Sequence, residues 1–367
     1  MFFIILINRT TTTTTLSNII VVVVVEVVNM KILKVLKRKK VSPPPIWIMR
    51  QAGRYLPEFK ETKRKAKGFI NMIYNPKISA EVTLQPIKRF GFDAAIIFSD
   101  ILTIPDSLGQ ELKYTEGKGP SLKKMSINEM IKIFPVESKS QKLLKIYKAI
   151  KETKKKLNNK TSLIGFVGAP LTISFFMLDS ERKKNYRKIL VLLKTNKQTK
   201  KLFRILESSI AIHAIKQIKA GAHIIQIFDT WACVAKGKDL MKFSVKPIKR
   251  ICGLIKKKCP KTPIIVFPRN VGSKYTKYIF QDLDCISIGN DATDKTIKKI
   301  QEEKIIQGNL HPEILFKGGK KLEKETIKIL KRFANKPFIF NLSHGIMPKT
   351  PIGNVKQLIK LIRKHGK

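Results

Sequence analysis

Two arginines four residues apart, Arg50 and Arg54, flank a glycine in the segment Trp47-Ile48-Met49-Arg50-Gln51-Ala52-Gly53-Arg54-Tyr55-Leu56-Pro57-Glu58. Each guanidinium presents a planar fork of donors that matches a carboxylate or a phosphate. Two such forks on one glycine-containing loop suit a molecule that carries several negative charges. An ordinary pair of surface arginines is the plainer alternative, and what weighs against it is company. Ser99-Asp100, Gly168-Ala169-Pro170, Asp229-Thr230-Trp231, Gln307-Gly308-Asn309 and Ser343-His344-Gly345 each follow an apolar run, as the arginines do. Arginines, a carboxylate, a hydroxyl and a histidine would then converge on one rim. Singly, each has an ordinary explanation: Asp100 and Thr230 as helix caps, His344 as a surface-loop residue.

Those groups need a frame that brings them together. Apolar, β-branched runs recur at Ile46–Met49, Ala94–Phe98, Leu163–Val167, Ile224–Phe228, Ile264–Phe267, Cys285–Ile288, Lys304–Ile306 and Phe338–Asn341. Between them lie Lys-rich stretches with helical spacing, such as Leu143, Leu144, Ile146, Tyr147 and Ile150. Short apolar runs without strict alternation suit strands covered on both faces, as in a parallel sheet. The pattern predicts an α/β protein, a (β/α)8 TIM-like barrel in a single domain, with its chemistry at the C-terminal ends of the strands. An open doubly wound sheet is the second reading. No Gly-x-Gly-x-x-Gly fingerprint follows the first run, which weakens its dinucleotide-binding version. The longest connection, about residues 104–160, contains Gly117-Lys118-Gly119-Pro120 and a helical pattern from Ile127. It reads as a rim loop followed by a barrel helix.

These blocks carry a resemblance. From about Met30 to Val355 the chain resembles the uroporphyrinogen decarboxylase family. Arg50-Gln51-Ala52-Gly53-Arg54-Tyr55-Leu56-Pro57-Glu58 matches the family's signature. Further blocks agree in order: Phe98-Ser99-Asp100-Ile101-Leu102, Ile104-Pro105-Asp106-Ser107-Leu108-Gly109, Gly168-Ala169-Pro170, Gln226-Ile227-Phe228-Asp229-Thr230-Trp231-Ala232, and Phe340-Asn341-Leu342-Ser343-His344-Gly345-Ile346-Met347-Pro348.

The resemblance implies a cytoplasmic homodimer that works without metal or organic cofactor. It would remove carbon dioxide from the four acetate side chains of uroporphyrinogen III, giving coproporphyrinogen III. Losing carbon dioxide from an acetate on a pyrrole requires a sink for the electrons left behind, and protonating the ring provides one. By resemblance, Asp100 would accept hydrogen bonds from the pyrrole N–H groups and favour the cationic intermediate. Arg50 and Arg54 would bind substrate carboxylates, on a loop shared with Gln51, Ala52 and Gly53. Arg50 is also a candidate proton donor, an awkward role for a group whose ordinary pKa lies above about 12. His344 would contact a carboxylate, and Thr230 stands where the family usually has Ser. Several positions depart from the family. Leu171 replaces Trp, and Phe176 replaces a substrate-contacting Tyr. Pro268-Arg269-Asn270 replaces a Lys-Gly type ending, Gly289-Asn290 an Asp-Trp pair, and His311 an Asp. A barrel that keeps only anion binding is the alternative those departures keep open.

Composition bears on partners. Lys and Arg total 74 against 26 acidic residues, a formal net charge of +48. Such an excess suggests nucleic acid or membrane surface, and it would also steer an eight-carboxylate substrate. The lysines are spread along the chain, as in Lys151–Lys160, Lys256–Lys261 and Lys317–Lys324, which fits solvated helix faces. No zinc-finger spacing or RNA-binding aromatic motif accompanies them, so no specific nucleic acid is expected. Cys233, Cys252, Cys259 and Cys285 lack the spacing of a zinc site or disulfide framework, which fits a reduced compartment. Zinc-dependent methyltransferases on related barrels need a His-x-Cys pair; His213, His223 and His344 have none. Residues 1–29 hold the runs Thr10–Thr15 and Val21–Val25, with Glu26 interrupting an apolar stretch too short for a span of about 20 residues. With Arg9 the only early base and no Ala-x-Ala, they do not read as a signal peptide. They read as a low-complexity extension ahead of a 30–367 domain, with translation starting at Met30. A membrane-associating tail is the alternative. Met30 to Lys40 reads as a short basic amphipathic helix leading into Pro43-Pro44-Pro45.

Overall fold

Buried apolar runs fold as strands where the sequence places them. The computed structural model describes residues 30–115, 119–134, 140–179 and 185–366. Its strands are β1 (Ala94–Ile96), β2 (Leu112–Thr115), β3 (Gly119–Leu122), β4 (Ser162–Gly168), β5 (Ile224–Asp229), β6 (Ile264–Pro268), β7 (Cys285–Ser287), β8 (Ile305–Leu310) and β9 (Phe338–Leu342). Seven of them form one sheet in the order β1-β4-β5-β6-β7-β8-β9, every pair parallel, with helices in the connections. β2 and β3 make a separate antiparallel hairpin. The connection read as a plain rim loop therefore carries this hairpin. The helical pattern after it resolves into Ile127–Ile133 and Gln141–Lys156. Gly117 and Lys118 lie outside the described residues, as do residues 1–29 with the start-site and tail readings placed on them.

The first apolar run departs from expectation. Ile46–Met49 is not a strand; it makes one isolated parallel bridge, Ile46 to Phe340. The prolines at 43–45 remove three N–H donors just before it, and the chain turns at once, with Gln51 N–H on Ile48 O at 3.1 Å and Arg50 at φ 63°. Side chains take the N–H groups that a strand neighbour would have taken. Ile46 N–H donates to Asp93 Oδ2 at 2.8 Å, Ile48 N–H to Gln51 Oε1 at 3.2 Å, and Met49 N–H to Asn341 Oδ1 at 3.1 Å. On the acceptor side, Pro45 O receives Phe340 N–H of β9 and Ile46 O receives Asp93 N–H just ahead of β1, both at 2.9 Å. One short segment thus touches both edges of the sheet, which is curled in the manner of a TIM barrel.

One end of this cylinder is stoppered. The helix Lys31–Leu36 buries Ile32, Leu33, Val35 and Leu36. They pack with Trp47 and with Ala94, Ile224, Cys285 and Ile305, the last four the first residues of their strands. Arg38 fastens the helix by donating to Glu303 O at 2.6 Å and Glu302 O at 3.1 Å. Above that plug, Trp47 Nε1 donates to Gln307 Oε1 at 2.9 Å, and Gln307 Nε2 reaches Ser287 and Gln226 at 3.1 and 3.3 Å. The interior is therefore filled from the N-terminal end, and ligand chemistry is left to the loops at the strands' C-terminal ends.

Candidate active site at the C-terminal ends of the strands

Arg50 occupies a left-handed turn, and the glycines around it explain its reach. A Cβ on Gly345 would lie 2.5 Å from Arg50 Cδ and 2.9 Å from Cγ, so the arginine stem crosses directly over that residue. A Cβ on Gly53 would meet Arg50 O at 2.9 Å. Ile346 N–H donates to Met49 O at 3.0 Å, joining the arginine loop to the loop after β9. The signature Arg50-Gln51-Ala52-Gly53-Arg54 is thereby held against Ser343-His344-Gly345.

Asp100 sits on the loop after β1. Its Oδ1 accepts Leu102 N–H at 2.8 Å, and its carbonyl accepts Thr103 Oγ1 at 2.8 Å. This Asx-type turn leads into the short helix Thr103–Ser107, whose N-cap is Leu102 with no side-chain cap, so Asp100 is not the helix cap considered from sequence and the turn occupies one of its oxygens. The strand end beneath is fixed by Ser79 Oγ on Phe98 O and by Phe98 N–H on Thr83 Oγ1, at 2.7 and 2.8 Å. Gly168 of the Gly-Ala-Pro block lets β4 close on this loop, since a Cβ there would meet Ile173 Cγ1 at 2.9 Å and Ile101 Cβ at 3.0 Å.

The electrostatics follow from this enclosure. Burial raises the Asp100 carboxyl above its ordinary value, opposed by the Leu102 N–H and by the charge of Arg50. Burial lowers the Arg50 guanidinium, Asp100 pulls it back up, and Arg269 and Arg54 push it further down. Arg50 is nevertheless open to solvent, which places it in a cleft rather than in the core. His344 is half-buried and lowered to about 4, first by burial and then by Arg269 and Arg50, so the ring is neutral at pH 7. Arg50, Arg54 and Arg269 have no ion-pair partner among the described residues, although Arg269 and Arg54 both act on Arg50 and Arg50 acts on Asp100.

The other expected residues divide. Phe176, on the helix Pro170–Leu178, is half-buried and shares a small cavity with Leu102, whose N–H holds Asp100. Thr230 is half-buried and does not cap a helix; the short 3-10 turn Ala232–Val234 is preceded by Trp231. Gln51 is fully buried with its amide spent inside the protein, Oε1 on Ile48 N–H and Nε2 on Ala94 O at 2.9 Å. Its side chain therefore positions the loop and leaves no group for a ligand. Ala52 packs against the core.

Two residues were not read from sequence as part of the site. Arg269, at the end of β6, obeys the same end-of-strand rule but stood only as a departure. Asp229, the last residue of β5, is fully buried and raised to about 6 by that burial, against hydrogen bonds from Ser244 and Thr172. Thr172 Oγ1 lies 2.6 Å from Asp229 Oδ1 and also accepts Trp231 N–H at 3.1 Å. Ser244, on the π-turn Met241–Val245, donates to Asp229 and meets Tyr278 Oη at 2.6 Å. The departures after β7 and β8 also have local work. A Cβ on Gly289 would lie 2.5 Å from Asp291 Oδ1, Asn290 Nδ2 donates to Asn309 O at 2.7 Å, and His311 caps the helix Pro312–Lys317 through Glu313 N–H.

A TIM-barrel-like α/β sheet whose C-terminal mouth gathers unpaired arginines, a carboxylate and a neutral histidine belongs to the class of proteins built for polyanionic small molecules. The model of the family described as "Uroporphyrinogen decarboxylase (URO-D)" matches residues 28–365. A protein named uroporphyrinogen decarboxylase from Chelativorans sp. (strain BNC1) is 39% identical over 341 residues, covering 92% of this chain and 99% of its own. One of the same name from Rickettsia bellii (strain RML369-C) is 42% identical over 324 residues, covering 88% and 95%. Among solved structures, a methyltransferase from Methanosarcina mazei superposes with a TM-score of 0.73 at 17% identity, covering 92% of this chain and 98% of its own, a likeness of fold alone. The chain belongs to the uroporphyrinogen decarboxylase family.

Proposed function

We propose that this chain removes carbon dioxide from the four acetate side chains of uroporphyrinogen III to give coproporphyrinogen III. The observation that carries the reading is the Asp100 carboxylate, one oxygen tied to Leu102 and within the field of Arg50, with Arg54, Arg269 and neutral His344 gathered around that same arginine. Arg50 and Arg54, on the Gln51-Ala52-Gly53 loop, bind carboxylates of the substrate, with His344 contacting another. Phe176 and Thr230 line the remaining approach. The acetate loses carbon dioxide once the pyrrole has taken a proton, because the electron pair of the breaking bond then flows into a cationic ring. Asp100 accepts the pyrrole N–H groups and stabilises that charge, a preorganised effect. Restoring a methyl group needs a proton at the methylene carbon, after which the ring gives back the proton it first took, so that one proton is consumed for each carbon dioxide released. Arg50 is the candidate donor, and its guanidinium is made a stronger acid by burial, against the pull of Asp100, with Arg269 and Arg54 adding to the lowering.

In the same reading, the segment around Ile46 stands in for an eighth strand, closing a single-domain (β/α)8 barrel over residues 30–367, with residues 1–29 as an extension. The enzyme acts as a cytoplasmic homodimer, with no metal or organic cofactor and no nucleic-acid or membrane partner.

The test is anaerobic incubation with uroporphyrinogen III in the dark, then oxidation and separation of products by carboxylate number. Seven- to four-carboxylate porphyrins are expected, and Asp100→Asn should lower kcat by about 100-fold or more while circular dichroism stays unchanged. Near-normal turnover by folded Asp100→Asn would remove Asp100 from this role. Untouched eight-carboxylate substrate with the unaltered chain would leave an anion-binding barrel.

A further inference from the structure

One strong charge at the mouth has no part in the scheme above. Arg269 follows β6, which stands three strands from β1 in one direction and three from β9 in the other along the curled sheet. Asp100 follows β1 and His344 follows β9, so Arg269 rises from the wall facing them. Its backbone is anchored, with Arg269 N–H on Asp229 O at 3.1 Å. Asp229 in turn is locked by Thr172 and Ser244. The side chain is half-buried and makes no hydrogen bond or ion pair among the described residues. Its field nonetheless reaches across the mouth. It acts on His344 more than Arg50 does, on Arg50 more than Arg54 does, and on the Cys233 thiol. A cation held beside two others without a counter-ion is unfavourable in the free protein. It becomes favourable when an anion lies between them.

We infer that Arg269 binds a substrate carboxylate from the wall opposite Asp100 and Arg50, one other than the reacting acetate, and so sets how the macrocycle lies in the mouth. This deepens the decarboxylase reading and rests on it. A group that holds substrate away from the reacting bond supplies binding shared by ground state and transition state, so its loss appears in KM more than in kcat.

Three measurements on folded Arg269→Ala and Arg269→Lys decide it: equilibrium binding of uroporphyrinogen III without oxygen, steady-state kinetics, and the NMR titration of the His344 ring. Arg269→Ala should weaken binding roughly tenfold or more, the loss of one charge-assisted contact. KM should rise by more than kcat falls, Arg269→Lys should recover part of both, and His344 should titrate closer to an ordinary histidine. Binding within about twofold of the unaltered chain, a fall in kcat with KM unmoved, or an unmoved His344 titration would overturn the inference. If the unaltered chain binds uroporphyrinogen III without consuming it, the decarboxylase reading fails while the binding comparison still decides Arg269. If it does not bind, both fall.

Discussion

At the scale of single residues, the pair Asp100 and Arg50 is poised by burial on both sides. Burial pushes each toward its neutral form and the charge of each restrains that shift in the other, so a neighbour that reaches either group bears on the balance. Phe176 is such a neighbour: it shares a cavity with Leu102, whose N–H holds one oxygen of Asp100. A hydroxyl added there would enter the cavity that Leu102 lines and costs little volume. Phe176→Tyr should raise kcat by roughly two- to tenfold, the worth of one added hydrogen bond, in the same porphyrin-product assay. An unchanged rate would detach position 176 from the chemistry. Arg50, Asp100 and His344 are legible in the sequence because each closely follows an apolar run and keeps a polar group no helix or strand requires, and Arg54 lies four residues after Arg50 on the same loop. Arg269 obeys that rule too, but against the family pattern it marks only a departure. Gln51 was not legible, since an amide's destination depends on Ile48 and Ala94 being brought beside it. Asp229 looked like part of a motif, but its burial depends on Thr172 and Ser244, 57 and 15 residues away in the chain.

At the scale of elements, the apolar runs gave β1 and β4 to β9 within a few residues, because a strand buried on both faces leaves a plain compositional mark. The two misreadings have opposite causes. Ile46–Met49 has the composition of a strand, but prolines precede it and a left-handed arginine ends it, so side chains replace strand neighbours. The β2–β3 hairpin is short and half-exposed, with no apolar run to announce it. Asp93 is the residue on which the first exception turns. Its Oδ2 accepts both Ile46 N–H and Arg363 of the helix Ile352–His365, each at 2.8 Å. Asp93→Ala would strand a buried N–H and unpair a half-buried arginine. Urea unfolding should report a loss of about 2–4 kcal/mol, and activity should fall with it, since this segment carries Arg50. A loss below about 0.5 kcal/mol would mean that Asn341 and the Phe340 bond hold the seam without Asp93.

At the scale of the whole molecule, charge and protonation act together. The net charge of +48 is spread over exposed lysines and repels itself, which added salt relieves within about 10 Å. A second, buried contribution follows from three histidines. His213 is lowered to about 3, and His223 and His344 to about 4, all chiefly by burial. His213 is held by Tyr147 at 2.9 Å and His223 accepts Leu163 N–H at 2.8 Å, so both serve the fold. Unfolded, each takes up a proton near pH 6.5, while the native form refuses it until about pH 3 to 4. The unfolded chain therefore binds more protons in that interval, and stability must fall as pH drops from 6.5. Asp229, raised to about 6, works oppositely below that pH, because there the native form holds a proton the unfolded form has released; Asp100 is shifted in the same direction. Three histidines outnumber the two carboxylates, so the balance is a net decline, about 1.4 kcal/mol per pH unit for each histidine left uncompensated. Urea titrations between pH 7.5 and 4.5 should show that decline starting near 6.5, and repeating them in higher salt separates its sources. Screening raises stability at every pH by weakening the lysine repulsion, yet it leaves the slope largely in place, because buried groups are screened little. His344→Asn, which removes one refusing histidine without touching Tyr147 or Leu163, should flatten the curve. A slope that vanishes in salt would assign the acid sensitivity to the surface lysines and return the three histidines to ordinary titration.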